Sequence, residues 1–281
     1  GGLSTELEAQ GCQLTSSLWT AQALIDEPGL IESAHIAFVE AGAKILITSS
    51  YQLSRQGCLE NGMLAEQADE ALAESIEVAK RARGDRDVLI AASVGPFGAI
   101  LHDGSEYKGN YGLSLEELIA FHRERIEVLV AAEPDLLAIE TIPDLLEVEA
   151  LVSVLSEYPH VSAWMSFTLG PDGNLWAGQS VKEAALVALS SPQVCAVGIN
   201  CVDPELVELA LGQLRELTDL PLVVYANGGG TWNAESGLWE GAGNKPLTEY
   251  AQGWKHYEPL ILGGCCGTDA RDIRLLSAAM D

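Results

Sequence analysis

Short aliphatic or β-branched runs recur about every 25 to 45 residues, each followed by a polar or glycine-rich turn and a stretch with apolar residues at three- and four-residue spacing. The runs lie at residues 44–48, 88–94, 136–140, 161–167, 194–200, 222–225 and 260–263. Helix-patterned stretches lie at 29–40, 65–83, 115–132, 145–157, 181–189, 204–217, 247–254 and 270–280. Such alternation predicts parallel strands joined by helical crossovers. Eight helices against seven strands predict one further strand, the first, just ahead of Gly1-Gly2. The pattern predicts an α/β fold, a (β/α)8 TIM-type barrel forming a single domain over 1–281; a doubly wound open sheet is the other arrangement it permits. No linker or composition break divides the chain, and the glycine-rich stretch 228–243 reads as a long loop over the barrel mouth.

A barrel carries its chemistry at the C-terminal ends of its strands. At those places stand Thr48-Ser49-Ser50-Tyr51, Ser93-Val94-Gly95-Pro96, Glu140-Thr141, Asn200-Cys201, Asn227-Gly228 and Cys265-Cys266. Adjacent cysteines strain a mutual disulfide, yet both sulfurs can turn toward one metal ion. With Cys201 at the end of the sixth strand of the barrel and Cys265 and Cys266 at the end of the eighth, three thiols share one face. All-sulfur ligation selects a soft or borderline metal, and zinc suits thiolates without redox chemistry. Three protein thiolates make zinc a poor Lewis acid for carbonyls but a good carrier for a fourth, substrate thiolate.

Composition narrows the partners. The 281 residues carry 15 Lys and Arg against 41 Asp and Glu, a formal charge of −26 that repels nucleic acid and anionic membrane surfaces. No apolar run approaches the roughly 20 residues that span a bilayer, and no basic-then-apolar leader is present, so no membrane association is expected. Six cysteines without a short disulfide framework fit a reducing compartment, and the chain is expected to be cytoplasmic, a monomer or a small homo-oligomer. The five histidines, at 35, 102, 122, 160 and 256, form no close ligand pair, and neither a Walker pattern nor a strand-linked dinucleotide fingerprint occurs.

Gly198-Ile199-Asn200-Cys201, Gly263-Gly264-Cys265-Cys266-Gly267, Thr5-Glu6-Leu7-Glu8 and Asp103-Gly104-Ser105-Glu106-Tyr107-Lys108-Gly109 resemble the homocysteine S-methyltransferase family, end to end. The resemblance implies Zn2+ on Cys201, Cys265 and Cys266, joined by the sulfur of L-homocysteine, whose thiolate takes a methyl group from a donor to give methionine. It also implies that Glu140 holds the homocysteine ammonium group, with Glu6 the next candidate acid, and that Asn227 lies near the metal, although a plain turn asparagine reads equally well there. Thr48, Ser49 and Ser93 can bind the substrate carboxylate through hydroxyl or backbone N–H groups, or serve ordinary turns.

Within that family, 281 residues leave no room for folate- and corrinoid-binding domains, and the betaine enzymes carry a longer C-terminal extension. The small single-barrel members resemble S-methylmethionine-dependent enzymes. Their donor is a sulfonium cation, which Trp19 and Tyr51, and behind them Tyr107 and Phe97, can hold through their ring faces. S-adenosylmethionine is expected to serve more weakly. The residues leave open a betaine- or selenohomocysteine-specific methyltransferase of this family, a vicinal-dithiol redox or metal-storage protein, and a zinc hydrolase, for which the chain shows no water-activating site.

Overall fold

The computed structural model describes residues 1–12, 19–229, 231–233, 238–240, 245–258 and 260–280, the side chains of 19, 231–233 and 238–240 excepted. The chain opens with three helices, α1 (Leu3–Ala9), α2 (Trp19–Asp26) and α3 (Pro28–Glu40), before strand β1 (Ile45–Ile47). Then come α4 (Arg55–Glu60), α5 (Ala65–Arg83), β2 (Leu89–Val94), α6 (Leu115–Ala131), β3 (Leu136–Ile142), α7 (Leu145–Leu155) and β4 (Ala163–Phe167). The remainder is α8 (Val181–Ala188), β5 (Val194–Asn200), α9 (Pro204–Arg215), β6 (Leu222–Ala226), the strands β7 (Thr231–Asn233) and β8 (Leu238–Glu240), α10 (Leu247–Trp254), β9 (Leu260–Gly264) and α11 (Ala270–Met280).

Seven strands form one parallel sheet in the order β1-β2-β3-β4-β5-β6-β9. Strands β3 and β4 are buried at every residue, as expected where helices cover the outside and side chains fill the inside. On the inner face Trp164 of β4 is surrounded by the small side chains of Ala91, Ala138 and Ala196, and Ile47 from β1 and Ile261 from β9 pack against the same cluster. A sheet whose first and last strands share one packed interior is rolled, and this is the TIM-type barrel expected. The larger core lies outside it, where the helices close over Ile90, Ile139, Met165, Val197 and Val224. Among the described residues no helix is long and apolar enough to cross a membrane.

The seven aliphatic runs coincide with the seven sheet strands, and α5, α10 and α11 have the expected bounds. The expected eighth strand is not among the described residues; Gly2 N–H donates to Thr268 O at 2.9 Å, tying the start of α1 to the turn after β9. Helices α1 and α4, of 7 and 6 residues, are too short to display a 3.6-residue period and carry no pattern legible beforehand. The stretch 228–243, read as loop, contains the antiparallel pair β7 and β8.

A buried polar network fastens the loops after β1 and β2 to the helices outside them. Glu147, fully buried at the start of α7, accepts from Phe97 N–H at 2.5 Å, His122 Nε2 at 2.9 Å and the Tyr111 hydroxyl at 3.3 Å. Burial lowers the His122 pKa, so the ring is neutral and gives its Nε2–H to Glu147. Arg125, 1% exposed, donates to Tyr51 O at 3.4 Å, and burial lowers its pKa to about 10 against the opposing pull of Glu147. Glu147→Gln weakens the acceptor of three buried hydrogen bonds and removes one of the negative charges that favour the buried Arg125 cation, and is expected to lower unfolding free energy by about 3 kcal/mol, read from urea midpoints. A loss below about 1 kcal/mol would show that the network does not hold these loops.

Candidate metal and substrate site

The last residues of β6 bracket the three thiols. In the sheet β6 lies between β5 and β9, so the turns carrying Cys201 and Cys265-Cys266 flank the same strand end. Cys201 N–H donates to Tyr225 O at 3.1 Å and Cys265 N–H to Ala226 O at 2.8 Å. One step further, Asn227 N–H donates to Val202 O at 3.0 Å and Gly228 N–H to Cys266 O at 2.8 Å. Cys201 sits at φ 52°, a left-handed conformation unusual for a side-chain-bearing residue, and these bonds hold it there. Gly228 has no substitute, because a Cβ on it would run into Gly267 O.

The sulfurs of Cys201, Cys265 and Cys266 lie within 4.8 Å of one another, the one such group of three or more Cys, His, Asp or Glu ligand atoms among the described residues. Cys201 Sγ and Cys266 Sγ are 3.6 Å apart. Two sulfurs on one tetrahedral zinc are about 3.8 Å apart, so the spacing fits a shared ion. Proton sharing makes the same point. Cys265 is held well below the ordinary thiol range by hydrogen bonds from Cys201 and then Cys266. Cys201, giving its proton toward Cys265, is held well above it. For Cys266 a hydrogen bond from Cys201 pulls down, and the bond toward Cys265 together with burial outweighs it, so this thiol too stays well above. One buried and two half-buried sulfurs so close together cannot all ionise without a cation, and this donor set fits a thiophilic metal.

Glu140 stands near the end of β3, 7% exposed, and accepts from the Ser93 hydroxyl. Burial pushes its carboxyl up to about 7, with the Ser93 bond opposing, the Cys265 charge adding to the rise and a Tyr225 hydrogen bond also opposing. The following residue, Thr141, has φ 63°, a strained conformation for a β-branched side chain. Asn200 holds it: Oδ1 accepts from Thr141 N–H and from the Ser166 hydroxyl, and Nδ2 donates to Thr141 Oγ1, each at 2.7 Å.

The hydroxyl residues divide. Thr48 Oγ1 accepts from Ser93 N–H at 3.0 Å and shares a 2.8 Å bond with Ser50 Oγ, so its hydroxyl is committed to joining the ends of β1 and β2. Ser93 is committed to Glu140. Ser49 Oγ is buried with no hydrogen-bond partner, as is Asn227 Oδ1 at the end of β6. Glu6 is engaged elsewhere, accepting from Ala270 N–H at the start of α11 and from Gln10.

Of the aromatic candidates, Tyr107 comes closest to the sulfurs, its hydroxyl 3.0 Å from Cys201 Sγ. Tyr51 packs on Gly95, where a Cβ would meet its ring at 2.6 Å. Burial raises the Tyr51 pKa well above its usual value, followed by the charges of Glu106 and Cys201. Phe97 is instead an apolar packing residue, its ring 5.3 Å from that of Tyr111 and 5.0 Å from that of Phe121. The backbone after β2 turns it toward α6, away from the mouth. Trp19 begins α2, and its side chain lies outside the described residues. Tyr225, Trp176 and Glu106 had no assigned role: the Tyr225 hydroxyl bonds Trp164 and Ser166, and Trp176, 41% exposed, meets Tyr107 edge to face at 6.3 Å.

Residues 1–280 match the family described as Homocysteine S-methyltransferase. The chain is 42% identical over 288 residues to the homocysteine S-methyltransferase of Escherichia coli (strain K12), covering 99% of this chain and 93% of that protein. It is 38% identical over 298 residues to the selenocysteine Se-methyltransferase of Brassica oleracea var. italica, covering 98% and 86%. The fold superposes with a TM-score of 0.89 on the metallated form of the homocysteine methyltransferase MmuM from Escherichia coli, at 40% identity, covering 99% of this chain and 94% of that one.

Two outcomes test the geometry without turnover. Gly228→Ala displaces the Cys266-Gly267 turn and is expected to release bound metal to a chelator at least tenfold faster, measured by a colorimetric zinc indicator; unchanged release would show that the β6 bracket does not set the site. The second concerns Glu140. Its folded pKa of about 7 exceeds the usual 4.5, so the folded state binds more protons and stability falls as pH rises from about 4.5 to 7. The full loss is about 3 kcal/mol above that window. Glu140→Gln is therefore expected to raise the Tm of the metal-free protein more at pH 8 than at pH 5; an equal shift at both would place Glu140 in contact with solvent.

Proposed function

The chain belongs to the homocysteine S-methyltransferase family, and from that membership we propose that it transfers a methyl group from a sulfonium donor, S-methylmethionine above all, to the sulfur of L-homocysteine. The convergence of Cys201, Cys265 and Cys266 beside Glu140 carries this reading. The three cysteines would hold zinc, and zinc supplies the Lewis acidity that ionises a substrate thiol at neutral pH.

The protein's own groups do the rest. Glu140 takes the homocysteine ammonium as a charge-assisted acceptor, oriented by Ser93, and a bound ammonium draws the carboxyl back to its ionised form. Ser49 Oγ and Asn227 Oδ1, both buried and unpartnered, offer further contacts to the amino acid. Tyr51 and Tyr107 present aromatic surface that attracts a sulfonium without offering a strong nucleophile to its methyl groups. The reaction is an in-line displacement: a lone pair on the ionised homocysteine sulfur forms the new S–C bond as the methyl–sulfonium bond breaks. The bonding pair passes to the departing thioether sulfur. The thiol proton goes to solvent, and with S-methylmethionine both products are methionine. Alignment of the two sulfurs and the methyl carbon is the main contribution of the barrel mouth.

S-adenosylmethionine is expected to react more weakly, and betaine and methyltetrahydrofolate not at all. Zinc-loaded protein assayed for methionine with homocysteine and each donor decides this; turnover with betaine and none with either sulfonium would overturn it. Serine at position 201, 265 or 266 is expected to strip zinc and at least 99% of activity, whereas serine at 12, 58 or 195 spares both. Full zinc retention in the three site variants would sink the ligand assignment.

A further inference from the structure

Glu106 is a carboxylate at the mouth that the scheme above leaves unused. It lies in the 3₁₀ turn Ser105–Tyr107, between β2 and α6, immediately before the tyrosine whose hydroxyl reaches Cys201. The turn is firmly seated. A Cβ on Gly98 would fall 2.5 Å from both Ser105 C and Glu106 N, so the backbone here lies flat against the loop after β2, which Glu147 holds through Phe97. Glu106 Oε2 is buried without a hydrogen-bond partner, while the residue's own backbone N–H holds the carboxylate. An unpaired buried acceptor costs about 1–3 kcal/mol, more for a charged group, and a fold keeps one where a ligand completes it.

Its surroundings indicate which ligand. Glu106 N lies against Gly98 and the Tyr51 ring against Gly95, so the turn and that ring share the loop after β2, and the hydroxyl of the neighbouring Tyr107 reaches Cys201. Both amino-acid substrates carry an α-ammonium group, and one carboxylate serves one of them. Glu140 precedes Thr141, which Asn200, the residue before Cys201, clamps, and so suits the amino acid whose sulfur joins the thiols. Glu106 stands beside Tyr107, which meets Trp176 edge to face, and so lies on the aromatic side where a sulfonium is held. Resting on the function proposed above, we propose that Glu106 Oε2 accepts the α-ammonium group of the sulfonium donor and selects amino-acid sulfoniums over sulfoniums that lack the amine.

Steady-state kinetics of zinc-loaded wild type, Glu106→Gln and Glu106→Asp tests this with S-methylmethionine as donor. The same sulfonium lacking its amino group, 4-(dimethylsulfonio)butanoate, serves as a competitive inhibitor. The Gln variant is expected to raise KM for S-methylmethionine at least tenfold while the homocysteine KM, the zinc content and the inhibition constant of the deaminated sulfonium stay within twofold; the Asp variant recovers part of the loss. An unchanged donor KM overturns the proposal, as does an equal loss toward both sulfoniums or a rise confined to homocysteine. Wild-type enzyme that turns over no sulfonium at all overturns the function itself, a result separable from these.

Discussion

Three sulfur atoms gathered within 4.8 Å repel one another as thiolates, and that repulsion is the constraint around which the mouth of the barrel is built. Two strand ends must deliver them to one point. Because β5 and β9 pair with opposite edges of β6, the four backbone bonds from Cys201, Cys265, Asn227 and Gly228 fix both deliveries against one strand end. The left-handed backbone at Cys201 and Thr141 is part of the same arrangement, since Asn200, the last residue of β5 and the one before Cys201, also clamps Thr141. Rigid loops are what a displacement reaction needs, because misplacement of reacting atoms by about 1 Å loses about two orders of magnitude in rate.

Negative charge is concentrated where the proposed substrates carry positive groups. Burial raises the carboxyls of both Glu140 and Glu106, so each is held at an energetic disadvantage that a cationic partner relieves. The overall charge of −26 reinforces this field at long range, though its commoner consequence is solubility.

Much of this was legible in the residues themselves. Strands buried on both faces read as continuous aliphatic runs, and most of the longer helices show their period, though the eight-residue α2 was missed, so the βα repeats were visible along the chain. The paired cysteines between glycines, and Cys201 after a strand, announced a thiol site because two adjacent sulfurs have few other uses. What stayed hidden depends on contacts between distant segments. Nothing in the acidic, glycine-containing turn around Glu106 shows that one of its carboxylate oxygens is buried. Thr48 and Phe97 bear the right groups at the right strand ends, yet one spends its hydroxyl on Ser93 N–H and the other turns into the packing against α6.

The most direct measurement of the chemistry is zinc K-edge X-ray absorption on the zinc-loaded protein with and without L-homocysteine. The sulfur shell around zinc, supplied by Cys201, Cys265 and Cys266, is predicted to gain one further sulfur when homocysteine binds. A sulfur count that does not change under saturating homocysteine would contradict thiol activation at this site.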